Sequence, residues 1–222
     1  MAKKGARVGV VLSGCGFKDG AEIHESVSAL IALTKRGAVP VCLAPDTTFD
    51  VIDHRTGQPT GERRNVLAES ARIARGEIRD IATVKASELD ALVLPGGFGA
   101  AKNLCDFASA GAKATPLPAV ANLVREVHAA GKPIAAICIA PALLAACFRG
   151  EPRATLTIGT DQGTAGALEQ MGATHQNCAV TEFVVDRQAK VVTTPAYMLG
   201  RTAAEVFEGI DKSIGALLEM TR

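Results

Sequence analysis

The chain has 222 residues, a formal net charge of +1 and 48% apolar residues, with no Trp and a single Tyr. That length suits one α/β domain spanning residues 1–222 and burying its own core, and the composition is globular. Near-neutral charge without a basic cluster leaves nucleic-acid binding unsupported, and no apolar run reaches the ~18 residues of a membrane span.

The first element is a short β-branched run at 7–12, read as a buried strand that Gly14 ends. Residues 21–36 follow as a helix, with Ile23, Val27, Leu30, Ile31 and Thr34 at helical spacing and Gly37 behind it. A second strand covers 39–43. Residues 49–54 with the polar turn 55–58 suggest a small hairpin, and 65–75 a helix closed by Gly76. The strand at 90–94 runs into Pro95-Gly96-Gly97-Phe98-Gly99. Helices are expected at 100–110 and 118–130, and a buried strand at 133–137. An Ala/Leu-rich helix follows at 140–146, with Pro141 in its first turn, where a missing N–H costs nothing. A short strand at 156–158, a helix at 164–171, a hairpin of 180–185 with 190–194, and a long amphipathic helix at 201–220 complete the chain.

Strands alternating with helices imply right-handed crossovers and a mostly parallel sheet covered on both faces, with ligands beyond the carboxyl ends of the strands. Three suspicious loops fall at that edge: Gly14-Cys15-Gly16, Gly96-Gly97 and Cys138. Cys138 is the most informative. It sits on a strand-to-helix turn at a helix N-terminus, where the dipole and free N–H groups favour a thiolate, as in a nucleophile elbow. The plain alternative is a small, easily buried side chain. The Gly96-Gly97 pair lets the backbone approach a ligand and aim N–H groups at an oxyanion, or is simply a turn needing positive φ. The two readings together favour a site. Glu22 and Glu25 share a helix face three residues apart; Glu22 reads as a dipole partner and Glu25 as the less solvent-facing of the two.

Gly14-x-Gly16 is not a dinucleotide fingerprint, because Asp19 stands where a third small residue is needed. No Walker lysine follows either glycine loop, and no cofactor is expected. The four His residues (24, 54, 128, 175) show no metal-ligand spacing, so no metal is expected either. His24 or His175 could serve Cys138 as a base if within hydrogen-bond reach, and Cys15 could be a second reactive thiol. Six scattered cysteines without a CxxC pair read as reduced thiols. The basic residues 1–7 lead into only five apolar residues, too few for a signal peptide, and a cytoplasmic location is expected.

Six segments carry a resemblance that runs end to end: LSGCGFKDGAEIHES (12–26), RNVLAESARIARGEI (64–78), LPGGFGAAKNL (94–104), ICIAPALL (137–144), TIGTD (157–161) and VTTPAYML (192–199). On these the chain resembles the ThiJ/PfpI family of the class I glutamine amidotransferase-like superfamily, in particular its isoprenoid-biosynthesis glyoxalase subgroup. The resemblance implies a flavodoxin-like three-layer sandwich with a strained nucleophile at Cys138, a thiol-bonding carboxyl at Glu25, and oxyanion donors in the amides of Gly97 and Ile139. It also implies glutathione-independent conversion of glyoxal or methylglyoxal to the hydroxy acid, and a homodimer. The C-terminal helix and residues 195–198 are the candidate dimer face. Many family members carry His directly after the nucleophile; here that position is Ile139. A Cys amidohydrolase or protein deglycase, or a non-catalytic thiol redox sensor, are the competing readings.

Overall fold

The computed structural model describes residues 5–149 and 151–221. In chain order the strands and helices are β1 (Arg7–Val11), α1 (Ile23–Lys35), β2 (Val39–Ala44), β3 (Thr48–Ile52), β4 (Pro59–Asn65), α2 (Val66–Ile73), β5 (Ile78–Asp80), β6 (Ala91–Leu94), α3 (Phe98–Lys102), α4 (Phe107–Ala110), α5 (Pro118–Ala129), β7 (Ile134–Ile137), α6 (Ala140–Phe148), β8 (Thr155–Leu156), α7 (Gln162–Gln170), β9 (Thr174–His175), β10 (Val184–Asp186), β11 (Val191–Thr194) and α8 (Ala203–Glu219).

Seven strands form one sheet in the order β10-β11-β7-β6-β1-β2-β5. Every pairing is parallel except β10 with β11, the expected C-terminal hairpin. Buried strands alternate their side chains between two cores. Leu92, Leu94, Ile134 and Ala136 face one core with α5 and α6; Ala91, Val93, Ala135 and Ile137 face the other with α1 and α8. This is the flavodoxin-like three-layer α/β arrangement. The polar turn at 55–58 closes the antiparallel β3–β4 hairpin, and β8 pairs with β9 in parallel outside the main sheet. None of the described helices is long and apolar enough to cross a membrane.

Three features depart from the sequence expectation. The helix expected over 100–110 is two short helices, α3 and α4. Between them Cys105 bridges to Pro116, the Leu104 carbonyl accepts from the Leu117 amide, and the Asp106 carboxylate takes the Thr115 amide. The backbone is diverted there to hold the segment leading into α5. The edge strand β5 also went unforeseen.

The third difference lies on α1. Its buried face is Glu25, Ser26, Ser28, Ala29, Ala32 and Leu33, mostly small residues that allow close approach to the sheet. The large side chains of Ile23, Val27 and Ile31, which the periodicity marks as a core stripe, are each about 40% exposed. The apolar face of α8 is instead buried within its own chain, through Val206, Ile210, Ile214 and Leu217.

Candidate active site

β7 is fully buried and delivers the chain to Cys138, after which Ile139 caps α6. Cys138 adopts φ 62°, a conformation that costs an L-residue about 1–2 kcal/mol. The N–H of Cys138 donates to the Thr194 carbonyl at the end of neighbouring β11, 2.9 Å away, which helps hold the strained turn. With its own amide engaged there, the Sγ receives the amides of Gly97 and Ile139 instead.

The partner carboxyl comes from α1. Glu22 caps that helix, its Oε2 accepting the Glu25 amide at 2.7 Å. Glu25 lies one turn in and has no solvent exposure. Its Oε2 accepts the Gly96 amide at 3.0 Å, its Oε1 accepts the Tyr197 amide at 3.3 Å, and the carboxyl hydrogen-bonds the Cys138 thiol. Gly96 is glycine because a β-carbon there would stand 2.5 Å from Cys138 Cβ and 2.6 Å from Glu25 Oε2. Gly97 has φ 88°, and a β-carbon on it would meet the Glu22 amide and the Gly20 carbonyl at 2.5 Å.

Burial, and then the charge of Glu22, push Glu25 up from 4.5 to about 8, against the pull of its hydrogen bonds. Burial also pushes the Cys138 thiol well up, helped by the Glu25 charge and opposed by the Gly97 and Ile139 amides. This reverses the sequence expectation of a thiolate stabilised by the helix terminus, since desolvation outweighs those donors. The Glu25 contribution depends on its proton. A carboxylate repels a thiolate, whereas a neutral carboxyl donates to one. The two groups therefore share a hydrogen bond whose direction depends on which of them is ionised.

A cavity of about 790 Å³ opens onto Cys138, bounded also by Ile139, Gly97, Glu22, His24 and Tyr197, with Glu25 buried behind the thiol and outside the lining. Of the residues expected at the site, Cys138, Glu25, Gly97 and Ile139 are brought together. His24 reaches the cavity wall, where its Nδ1 lies 2.7 Å from the Tyr197 hydroxyl. His175 does not line the cavity; it lies on β9, where its Nε2 accepts the Ile158 amide at 3.4 Å. Cys15 is also absent from the cavity lining, beside Asp19, Glu69 and Arg72. All six cysteines are free thiols. Tyr197 was not foreseen as a site residue. Sequence reasoning expects its segment at a dimer face; in the structure the turn through Ala196 (φ 44°) gives Glu25 an amide and the cavity a phenol. The only sequence signal was its place directly after a strand, at the edge where the other loops gather.

A model of the DJ-1/PfpI family matches residues 77–196. The human "Glutamine amidotransferase-like class 1 domain-containing protein 3, mitochondrial" is 46% identical over 227 residues, covering 97% of this chain and 84% of that protein. The crystal structure of an isoprenoid biosynthesis protein with an amidotransferase-like domain from Ehrlichia chaffeensis superposes with a TM-score of 0.92. It is 36% identical and covers 98% of this chain and 100% of that one. Glyoxalase III from Candida albicans shares the fold at 15% identity, with a TM-score of 0.62 and coverage of 96% and 97%. The expectation of a cytoplasmic location is overturned by the human relative, which is mitochondrial by name.

Proposed function

Because this chain belongs to the DJ-1/PfpI family, we propose that it acts as one domain carrying a cofactor-independent glyoxalase site, which converts glyoxal or methylglyoxal to the hydroxy acid without glutathione. The observation that carries this reading is the solvent-free Glu25 carboxyl hydrogen-bonded to the Cys138 thiol, whose sulfur also takes two backbone amides. Cys138 and Glu25 are the proposed catalytic residues, and the Gly97 and Ile139 amides the proposed oxyanion donors.

In this mechanism the carboxylate form of Glu25 takes the thiol proton as Sγ adds to one aldehyde carbon of glyoxal. The resulting hemithioacetal oxygen is held by the two amides and takes that proton from Glu25, which is again a carboxylate. Glu25 then removes the hydrogen of the sulfur-bearing carbon as a proton, giving an enediolate, and returns it to the neighbouring carbon while the hydroxyl proton moves to the other oxygen. The product is a thioester of glycolic acid. Water cleaves it, releasing glycolate and restoring the thiol. A carboxyl titrating near 8 suits both giving and taking a proton at neutral pH.

Amide hydrolysis has less support, because residue 139 is Ile and His24 is engaged with the Tyr197 hydroxyl. The proposed homodimer joins through the Ile23–Val27–Ile31 stripe of α1, which its exposure supports, rather than through α8, whose apolar face is buried within its own chain. The deciding assay follows glyoxal loss and glycolate formation without glutathione. Wild type is expected to make glycolate and Cys138→Ala none. No glycolate from wild type removes the glyoxalase reading.

A further inference from the structure

Glyoxal has four heavy atoms, whereas the cavity over Cys138 measures about 790 Å³, within the ~300–1,000 Å³ of sites that enclose much larger ligands. Its walls are made for something apolar and flat. Phe17, Phe98 and Phe107 line it, with the small Ala101 and Ala108 leaving room between them and Met198 on the Tyr197 side. Phe17 and Phe98 remain 43% and 49% exposed. The Lys18 and Lys102 ammonium groups sit 5.0 Å over these two rings and do not line the cavity. Among the lining residues there is no Lys or Arg, while Glu22 and Asp161 contribute carboxylates. A ligand bearing a carboxylate or phosphate meets two like charges in this lining and neither Lys nor Arg.

We propose that the preferred substrates are 2-oxoaldehydes whose ketone carries an uncharged aromatic or comparably bulky apolar group, with the aldehyde carbon at Cys138 and the apolar group against Phe17, Phe98 and Phe107. This rests on the glyoxalase reading and narrows its substrate class. The chemistry is unchanged: Sγ adds to the aldehyde carbon, the hydrogen on that carbon moves to the former ketone carbon, and water releases the 2-hydroxy acid. Contacts remote from the reacting carbons then supply binding energy that glyoxal cannot.

The test compares methylglyoxal, phenylglyoxal and 4-carboxyphenylglyoxal with wild type, Phe17→Ala and Phe98→Ala. Lactate, mandelate and 4-carboxymandelate are quantified, and Cys138→Ala serves as the blank for side reactions with arginine. Phenylglyoxal is expected to exceed methylglyoxal in kcat/KM by about tenfold or more. The carboxylate should cost about tenfold against phenylglyoxal, and each Phe variant should shrink the phenyl-to-methyl ratio several-fold. Both truncations are at exposed positions, and a thermal melt reports that the variants are folded. Equal or reversed preference between methyl and phenyl, tolerance of the carboxylate, or a ratio that neither truncation changes would overturn the proposal. A wild type that forms lactate but shows no preference sinks this inference alone; no hydroxy acid from any substrate sinks the glyoxalase reading with it.

Discussion

A carboxyl sealed from water that holds its proton to about pH 8 acts on Cys138 through its ionised fraction, because only the carboxylate can take the thiol proton. Replacing Glu25 with Gln keeps the shape and part of the hydrogen bonding but removes the proton carrier. Turnover of Glu25→Gln is expected to fall by about 100-fold or more, with the fold intact by circular dichroism. The same variant changes the stability profile. Between pH 4.5 and about 8 the native protein keeps the Glu25 proton that the unfolded chain has already released, so wild-type stability falls as pH rises through that window. The loss is on the order of a few kcal/mol. Denaturant unfolding at pH 5, 6.5 and 8 should show the gap between wild type and Glu25→Gln closing, or reversing, as pH increases. A constant gap would mean that Glu25 is ionised in the native state.

The turn between β6 and α3 brings the nucleophile and its carboxyl into contact with one backbone. Gly96→Ala would drive a methyl group into Cys138 Cβ and Glu25 Oε2, so it should abolish turnover and destabilise by about 1–3 kcal/mol, read from the thermal midpoint and the aldehyde assay. At this scale the sequence was most legible where one physical signal dominated. The apolar runs gave the parallel strands, Pro141 the start of α6, and Gly96-Gly97 the close approach. It was least legible where tertiary contacts decide. The break between α3 and α4 comes from pairing with 116–117, and β5 is three partly exposed residues. The buried face of α1 is small and polar, so its periodicity identified a helix while its larger residues pointed away from the core. Tyr197 contributes through a main-chain N–H, which leaves no mark in side-chain chemistry.

Over the whole molecule, the two cores account for the apolar faces of the sheet, α5, α6 and α8 but leave Ile23, Val27 and Ile31 partly exposed. Two copies joined through α1 would cover that stripe. Sedimentation should give the mass of two chains for wild type, and Val27→Glu combined with Ile31→Glu should shift it to one; a wild-type mass of one chain removes the dimer. The strand order has a temporal meaning as well. Cys138 lies on β7, but the carbonyl that takes its N–H and the amide that meets Glu25 both come from residues 194–197, at and just beyond the end of β11. These contacts close loops of about 55 residues to Cys138 and 170 to Glu25, among the slower events in folding. A nascent chain that has not yet emitted β11 therefore carries a thiol without its strained geometry and a carboxyl without its second donor. The proposed site is therefore complete only once β11 has docked.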